Sequence, residues 1–292
     1  MIPREFDYVA PATLEEALKA LREGGEEAKV LAGGHSLIPL MKLRLAAPSL
    51  LVDLRLIPDL RGTSTDPAGQ CIYGAMTTHR ELHLSAGGLL AECAGTIGDE
   101  QVRARGTLGG SLAHADPAAD LPAAVLALNA TLLAARLDGN GGSAVATRSI
   151  PAGEFFTDMF TTALEPGEIL TAVQVPQLAG RTGTAYVKIR NKASHYALTG
   201  AAVVLQLESD GICGQIAVAV TGAAARPFRL DRVEQALRGT RLSDDDIRGA
   251  LDEIGRLDVP WLSDLFGSEE YRRHLTGVVV RRAIEAARDR AG

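Results

Sequence analysis

The chain has 292 residues, a formal net charge of −6, and 46% hydrophobic against 23% charged residues. This balance is that of a globular protein with room for one large domain or two to three small ones. The acidic excess argues against a surface that tracks nucleic-acid phosphates. No run approaches the roughly 18 apolar residues of a spanning helix, and the opening MIPREFDYVAPATLEEAL lacks the basic and apolar regions of a secretory signal. The expected location is the cytoplasm, with no membrane insertion and any contact with the inner membrane made peripherally through partners. Cys71, Cys93 and Cys213 are far apart and show no C-x-x-C spacing. A disulfide framework, a zinc site and an iron–sulfur cluster of the chain's own are therefore not expected.

The first segment, residues 1–57, alternates helix and strand signals. Thr13 with Glu16 fits a capping box ahead of a helix that stops at Gly24-Gly25. Lys29–Ala32 reads as a short strand running into Gly33-Gly34-His35-Ser36, then a short helix in LIPLMKLRL. Leu50–Leu54 reads as another strand. In the second segment, 58–176, Cys71–Ala75 is a strand, Thr78–Leu82 starts a helix, and a helix through Gly88–Ala94 leads to Gly106-Thr107-Leu108-Gly109-Gly110-Ser111. A further helix opens at Asp120-Leu121-Pro122 in HADPAADLPAAVLALNATLLAA, with Asp120 as its N-cap. After a glycine turn at Gly139–Gly142, an alternating strand runs over Ile169–Val175. The third segment, 177–292, reads as strands at 184–190, 200–208 and 215–220, then helices within 225–239, 243–257 and 270–290. Strands followed by helices imply an α+β domain with helices on an antiparallel sheet.

Two glycine-rich segments carry the chemistry. The first is Val30, Leu31, Ala32, Gly33, Gly34, His35, Ser36 and Leu37. Two adjacent glycines after a strand let the backbone turn with positive φ and approach a ligand closely, and successive amides form an anion nest to which Ser36 adds a hydroxyl. This is a pyrophosphate cradle, but not a Rossmann G-x-G-x-x-G or a Walker A loop. The second segment, around Thr107, Gly109, Gly110 and Ser111, is expected to form a second nest. Asp116 and Asp120 beyond it could accept hydrogen bonds from ribose hydroxyls, among small residues that leave room for an extended ligand. His35 reads as a hydrogen-bonding residue of its loop, because the histidines form no recognisable metal pattern. Tyr186, Lys188 and Arg190 alternate on one strand face. A cation near a flavin pyrimidine ring would stabilise negative charge on the reduced ring, and Tyr196 could cover its face.

The ordered set of motifs resembles the FAD-binding medium subunits of molybdenum hydroxylases, closest to those of aerobic carbon monoxide dehydrogenase within the wider xanthine dehydrogenase family. It comprises Ile2-Pro3 with Phe6-Asp7-Tyr8, AGGHSLIPLMKLRLAAPSLLVDL, Gly74–Thr78, Thr107–Gly110, Asp116-Pro117 with Asp120-Leu121-Pro122, Glu165–Leu170, Tyr186 with Lys188, Glu270-Tyr271-Arg272 and Arg281–Ala283. The resemblance spans essentially the whole chain. It implies a vanillyl-alcohol-oxidase-like (PCMH-type) FAD domain of two α+β subdomains, residues 1–57 and 58–176, and a C-terminal domain, 177–292, with an antiparallel sheet and helices. It implies FAD bound non-covalently, with its pyrophosphate on residues 30–37 and on Thr107, Gly109, Gly110 and Asp120. Ile97, Leu170 and Lys188 would line the flavin, and Tyr196 would lie near the isoalloxazine. It further implies an oxidoreductase subunit in a dimer of heterotrimers, with a [2Fe–2S] small subunit and a molybdopterin large subunit. Electrons would pass from those clusters to FAD and on to a quinone or other acceptor, with no catalytic residue or metal on this chain. Ser111 and His195 stand where the carbon monoxide pattern has Asn and Asp. Related subunits serve enzymes of heterocycles, purines and aldehydes, and a stand-alone flavin oxidoreductase is the remaining alternative.

Overall fold

The computed structural model describes residues 2–138, 144–178 and 180–292, so the turn expected at Gly139–Gly142 lies outside the described residues. The chain opens with β1 (Asp7–Val9), α1 (Leu14–Gly24), β2 (Ala28–Leu31), α2 (Leu37–Lys42) and β3 (Leu50–Asp53). The strands form a parallel sheet in the order β1-β3-β2. Thr13 and Glu16 close the expected capping box at the start of α1, and Gly25 ends it with φ of 61°. The helix buries Ala17, Leu18 and Leu21, with the half-buried Leu14, against Val52, Leu54, Ile57 and Leu60, the i, i+3, i+4 and i+7 face of an amphipathic helix.

The second layer contains β4 (Thr63–Thr65), β5 (Cys71–Gly74), α3 (His79–Ser85), α4 (Gly88–Gly95), α5 (Glu100–Arg103), α6 (Leu108–His114) and α7 (Leu121–Ala127). It continues with β6 (Thr131–Leu137), β7 (Val145–Pro151), α8 (Ala152–Phe155), the short pair β8 (Phe156–Asp158) and β9 (Thr161–Thr162), and β10 (Ile169–Val175). Five strands make an antiparallel sheet in the order β4-β5-β10-β6-β7. The apolar run that opens at Asp120 does not stay helical. Asn129 turns with φ of 50°, and Thr131 onward pairs as β6, at the centre of the sheet's far half. Every residue of α7 is buried, and its small alanines let it pack closely on the next sheet.

The third layer is β11 (Arg181–Arg190), β12 (Ala197–Leu207), β13 (Cys213–Thr221) and β14 (Phe228–Arg229), followed by α9 (Asp231–Leu237), α10 (Asp244–Leu251) and α11 (Glu269–Ala291). The strands form an antiparallel sheet in chain order. Alternation on β12 sends Ala201, Val203 and Leu205 toward α11 and Ala202 toward α7. A Cβ at Gly183 would lie within 1.8 Å of the Ala287 carbonyl oxygen, so α11 lies directly on the backbone of β11. Arg272, in the first turn of this helix, is buried and donates to the carbonyls of Leu198 and Gly222 at 2.6 and 2.7 Å and to Asp264 at 2.6 Å. Among the described residues no helix is long and apolar enough to cross a membrane.

The Glu165-Pro166-Gly167-Glu168 turn that leads into β10 is tied down by charge. Arg148 on β7 makes a two-pronged contact with Glu168 at 2.7 and 2.7 Å, and the Glu165 amide donates to the same carboxylate at 2.7 Å. Burial pushes the Glu168 pKa up, but the Arg148 and Glu165 hydrogen bonds more than offset it and hold the carboxyl below its ordinary value. The folded chain thus binds this proton less readily than the unfolded chain. The stabilisation is complete above the ordinary carboxylate range and is lost as pH falls through the folded value. Urea midpoints measured from about pH 6 down to about pH 3 should fall less steeply for Glu168→Gln than for the wild type. Parallel curves for the two proteins would contradict this assignment.

Candidate cofactor site

The first glycine segment leaves the end of β2 and turns into α2. Of its two glycines only Gly34 has positive φ, at 78°. Gly33 is required for a different reason, because a Cβ there would lie 2.2 Å from the Arg105 carbonyl oxygen and 2.9 Å from Gly106 Cα. The first segment is thus in backbone contact with the approach to the second. Among the described residues, the amides of Gly33, Gly34, His35 and Ser36 donate to no protein acceptor. Successive unclaimed amides in a turn are the donor set an anionic diphosphate needs.

The second segment is built differently from the expected nest. Thr107 pairs with Thr78 in an isolated bridge and N-caps α6, so Gly109 and Gly110 lie in a helical turn rather than a loop. Its amides are already engaged. Leu108 donates to the Thr77 carbonyl at 2.9 Å, Gly109 to Ala75 at 2.8 Å, and Ser111 to Thr107 at 3.0 Å. Gly110 donates to the Thr107 hydroxyl at 3.2 Å. The expectation of a second amide cradle at 107–111 is therefore corrected. Gly109 serves close approach, since a Cβ there would lie 2.5 Å from Ala75 Cβ, while a Cβ at Gly110 would meet the Thr107 hydroxyl at 2.7 Å and reach ordinary contact with Ala32 of the first segment at 3.4 Å.

Asp120 stands at the N-cap position of α7, but its carboxylate caps nothing. It accepts from the Tyr186 hydroxyl at 2.5 Å and from Lys188 Nζ at 2.8 Å, and Lys188 also donates to the His195 carbonyl at 2.9 Å. The shared strand face of Tyr186 and Lys188 explains how β11 supplies both partners. Burial pushes the Asp120 pKa up while Lys188 and Tyr186 pull it down, and burial prevails. Asp116 accepts the Ala118 amide at 2.8 Å in its own turn. The Tyr196 pKa is raised, first by burial and then by Asp116 and Asp120, with Ser36 partly offsetting them.

These pieces enclose one cavity of about 600 Å³. Val30, Ala32, Gly33, Gly34, His35, Ser36 and Leu37 line it, and Thr107, Gly109, Gly110 and Ser111 line it beside them. Asp116, Asp120, Ile97, Leu170 and Tyr196 complete the lining. The strand position of Leu31 turns it away from the cavity, and Lys188 stands behind Asp120; neither lines it. The cavity also takes in residues that were not expected to line it, among them Met76, Gly98, Glu168, His195 and His79. His79 is buried, its pKa lowered to about 4 by burial and then by His35 and Arg103, and its Nδ1 has no partner among the described residues. The only sequence signal for it was the helix start at Thr78, which says nothing about a wall. The volume lies within the range of cofactor sites. The free amides of Gly33–Ser36 fit an extended ligand with a central diphosphate.

Comparisons with known proteins define the class. Residues 4–178 match the FAD binding domain in molybdopterin dehydrogenase, and residues 184–287 match the CO dehydrogenase flavoprotein C-terminal domain. The chain is 38% identical to the carbon monoxide dehydrogenase medium chain of Hydrogenophaga pseudoflava, over 98% of each. It is 37% identical to the 6-hydroxypseudooxynicotine dehydrogenase complex subunit alpha of Paenarthrobacter nicotinovorans, over 100% of this chain and 97% of that one. A chain of the reconstituted CO dehydrogenase from Oligotropha carboxidovorans superimposes with a TM-score of 0.91 at 38% identity, over 99% of this chain and 100% of that chain. These matches describe an FAD-binding oxidoreductase flavoprotein of mixed α and β structure, with a second domain built on an antiparallel sheet. The chain belongs to the FAD-binding medium-subunit family of the molybdenum-containing dehydrogenases, the family of the carbon monoxide dehydrogenase medium chains.

Proposed function

We propose that this chain is the electron-transfer subunit of a carbon monoxide dehydrogenase-type complex. It takes electrons from the [2Fe–2S] clusters of a small subunit, whose own source is a molybdopterin large subunit, and passes them to a quinone or similar acceptor. The supporting observation is the set of unclaimed amides at Gly33–Ser36 facing a cavity closed by the wall at Thr107–Ser111. When bound, FAD supplies a group that can store one or two electrons. The chain's own residues do the rest. The Gly33–Ser36 amides would hold the diphosphate, with Ser111 as a further hydroxyl beside them. Ile97 and Leu170 would exclude water from the flavin, Tyr196 would cover it, and the Asp120–Lys188–Tyr186 group would fix the charge of that wall. The assembly is a dimer of such heterotrimers in the cytoplasm, touching the inner membrane through its partners. A heterocycle as the substrate is the second reading, favoured by the equally full-length match to the nicotine-derivative enzyme subunit; the large subunit decides between the two.

Isolation of the native complex through a tag on this chain tests the proposal. The expected result is molybdenum, iron and FAD in one particle whose flavin absorbance bleaches when carbon monoxide is added. A lone chain that oxidises an organic substrate without metal-bearing partners would refute it.

A further inference from the structure

The loop between β11 and β12, Asn191–Tyr196, crosses from the C-terminal sheet to the glycine-segment side and brings Ser194, His195 and Tyr196 into the cavity wall. It is wound on Asn191. That side chain accepts the Ala193 and Ser194 amides at 2.8 and 3.2 Å, and its carbonyl accepts the His195 amide at 3.0 Å. His195 has φ of 61°, a left-handed conformation that costs a residue with a side chain and persists only where its surroundings fix it. Two contacts do so. Lys188 Nζ holds the His195 carbonyl at 2.9 Å. His195 Nδ1 lies 3.1 Å from the Gly98 carbonyl oxygen. A carbonyl only accepts, so Nδ1 carries the hydrogen. The same carbonyl receives Arg103 at 3.3 Å.

We propose that Asn191–Tyr196 is a strap that opens and closes over the cavity, latched by His195 Nδ1–H on the Gly98 carbonyl, and that its opening controls the uptake and release of FAD. This rests on reading the cavity as the flavin site. The strain stored at His195 favours release of the strap, and the latch opposes it, which makes the element two-state. Both partners of the latch are protein groups. Weakening it therefore raises the open fraction with or without ligand, and speeds uptake and release together. A side chain that merely holds the ligand would change release alone.

The test uses the full-length chain stripped of flavin. Uptake is followed by quenching of flavin fluorescence after rapid mixing, and release by transfer to an excess of a flavin-scavenging apoprotein. His195→Ala should speed both rates by about three- to tenfold, the worth of one hydrogen bond, with the dissociation constant shifted by less than about twofold. His195→Asn keeps an N–H at a similar reach and tolerates the left-handed backbone, so it should restore both rates. Faster release alone, unchanged rates, or a weakened equilibrium constant that Asn does not rescue would overturn the strap while leaving the flavin reading intact. A wild-type chain that takes up no FAD would overturn the flavin reading and the strap with it.

Discussion

Gly33→Ala is expected to abolish tight FAD binding. The added methyl would sit 2.2 Å from the Arg105 carbonyl oxygen and 2.9 Å from Gly106 Cα. Both obstacles are backbone, and neither can swing aside as a side chain end could. Relief requires the first glycine segment to move away from the Arg105–Gly106 backbone, which would displace the Gly33–Ser36 amides proposed to hold the diphosphate. Overpacking of this kind costs about 1–3 kcal/mol of stability, and a displaced anion cradle should weaken FAD binding by about a hundredfold, the loss of two charge-assisted hydrogen bonds. Fluorescence titration with FAD and thermal unfolding read the two effects. Gly153→Ala is the control, since nothing lies within 4 Å of its Cβ and its φ is not positive; it should change stability by less than about 0.5 kcal/mol. A Gly33→Ala chain with unchanged affinity would show that the approach of the two segments is irrelevant to the cofactor.

Lys188→Met is expected to be the most destabilising single change near the cavity. Side chains of Lys188 and Asp120 are each 5% exposed, so removing the ammonium leaves a buried carboxylate with only the Tyr186 hydroxyl. Breaking a buried pair in this way costs about 3–5 kcal/mol. Burial already raises the Asp120 pKa, and loss of the cation raises it further. A folded carboxyl with a raised pKa binds its proton more readily than the unfolded chain does. The penalty therefore grows as pH rises from the unfolded value to the folded one, and shrinks as pH falls. The double variant Lys188→Met, Asp120→Asn should recover most of the loss. Denaturant unfolding of the wild type, the single variant and the double variant at neutral and acidic pH gives the comparison. Equal losses in the single and double variants would mean that the pair is not coupled as the geometry requires.

Local chemistry made much of the fold legible. The capping box at Thr13 and Glu16, the stop at Gly24-Gly25, and the alternating strands of the C-terminal sheet all depend on nearest neighbours, and all are present. The helix-to-strand switch at Asn129 was hidden, because a run of Ala, Leu and Val suits a buried helix and a buried strand equally. The same limit governed the site. Gly33 and Gly34 marked an unusual backbone, but only tertiary packing shows that one answers to φ and the other to the Arg105 backbone. Thr107–Ser111 read as a loop because its two glycines are poor helix formers; Thr107 as a cap and the sheet beneath it override that propensity. Asp120 read as a cap because nothing local announces that Tyr186 and Lys188 arrive from another sheet.

The most direct measurement is a high-resolution structure of the chain loaded with FAD. The account predicts diphosphate oxygens within hydrogen-bond distance of the Gly33–Ser36 amides, and the ring end of the cofactor beneath Tyr196. A diphosphate seated elsewhere, with those amides facing only water, would contradict it.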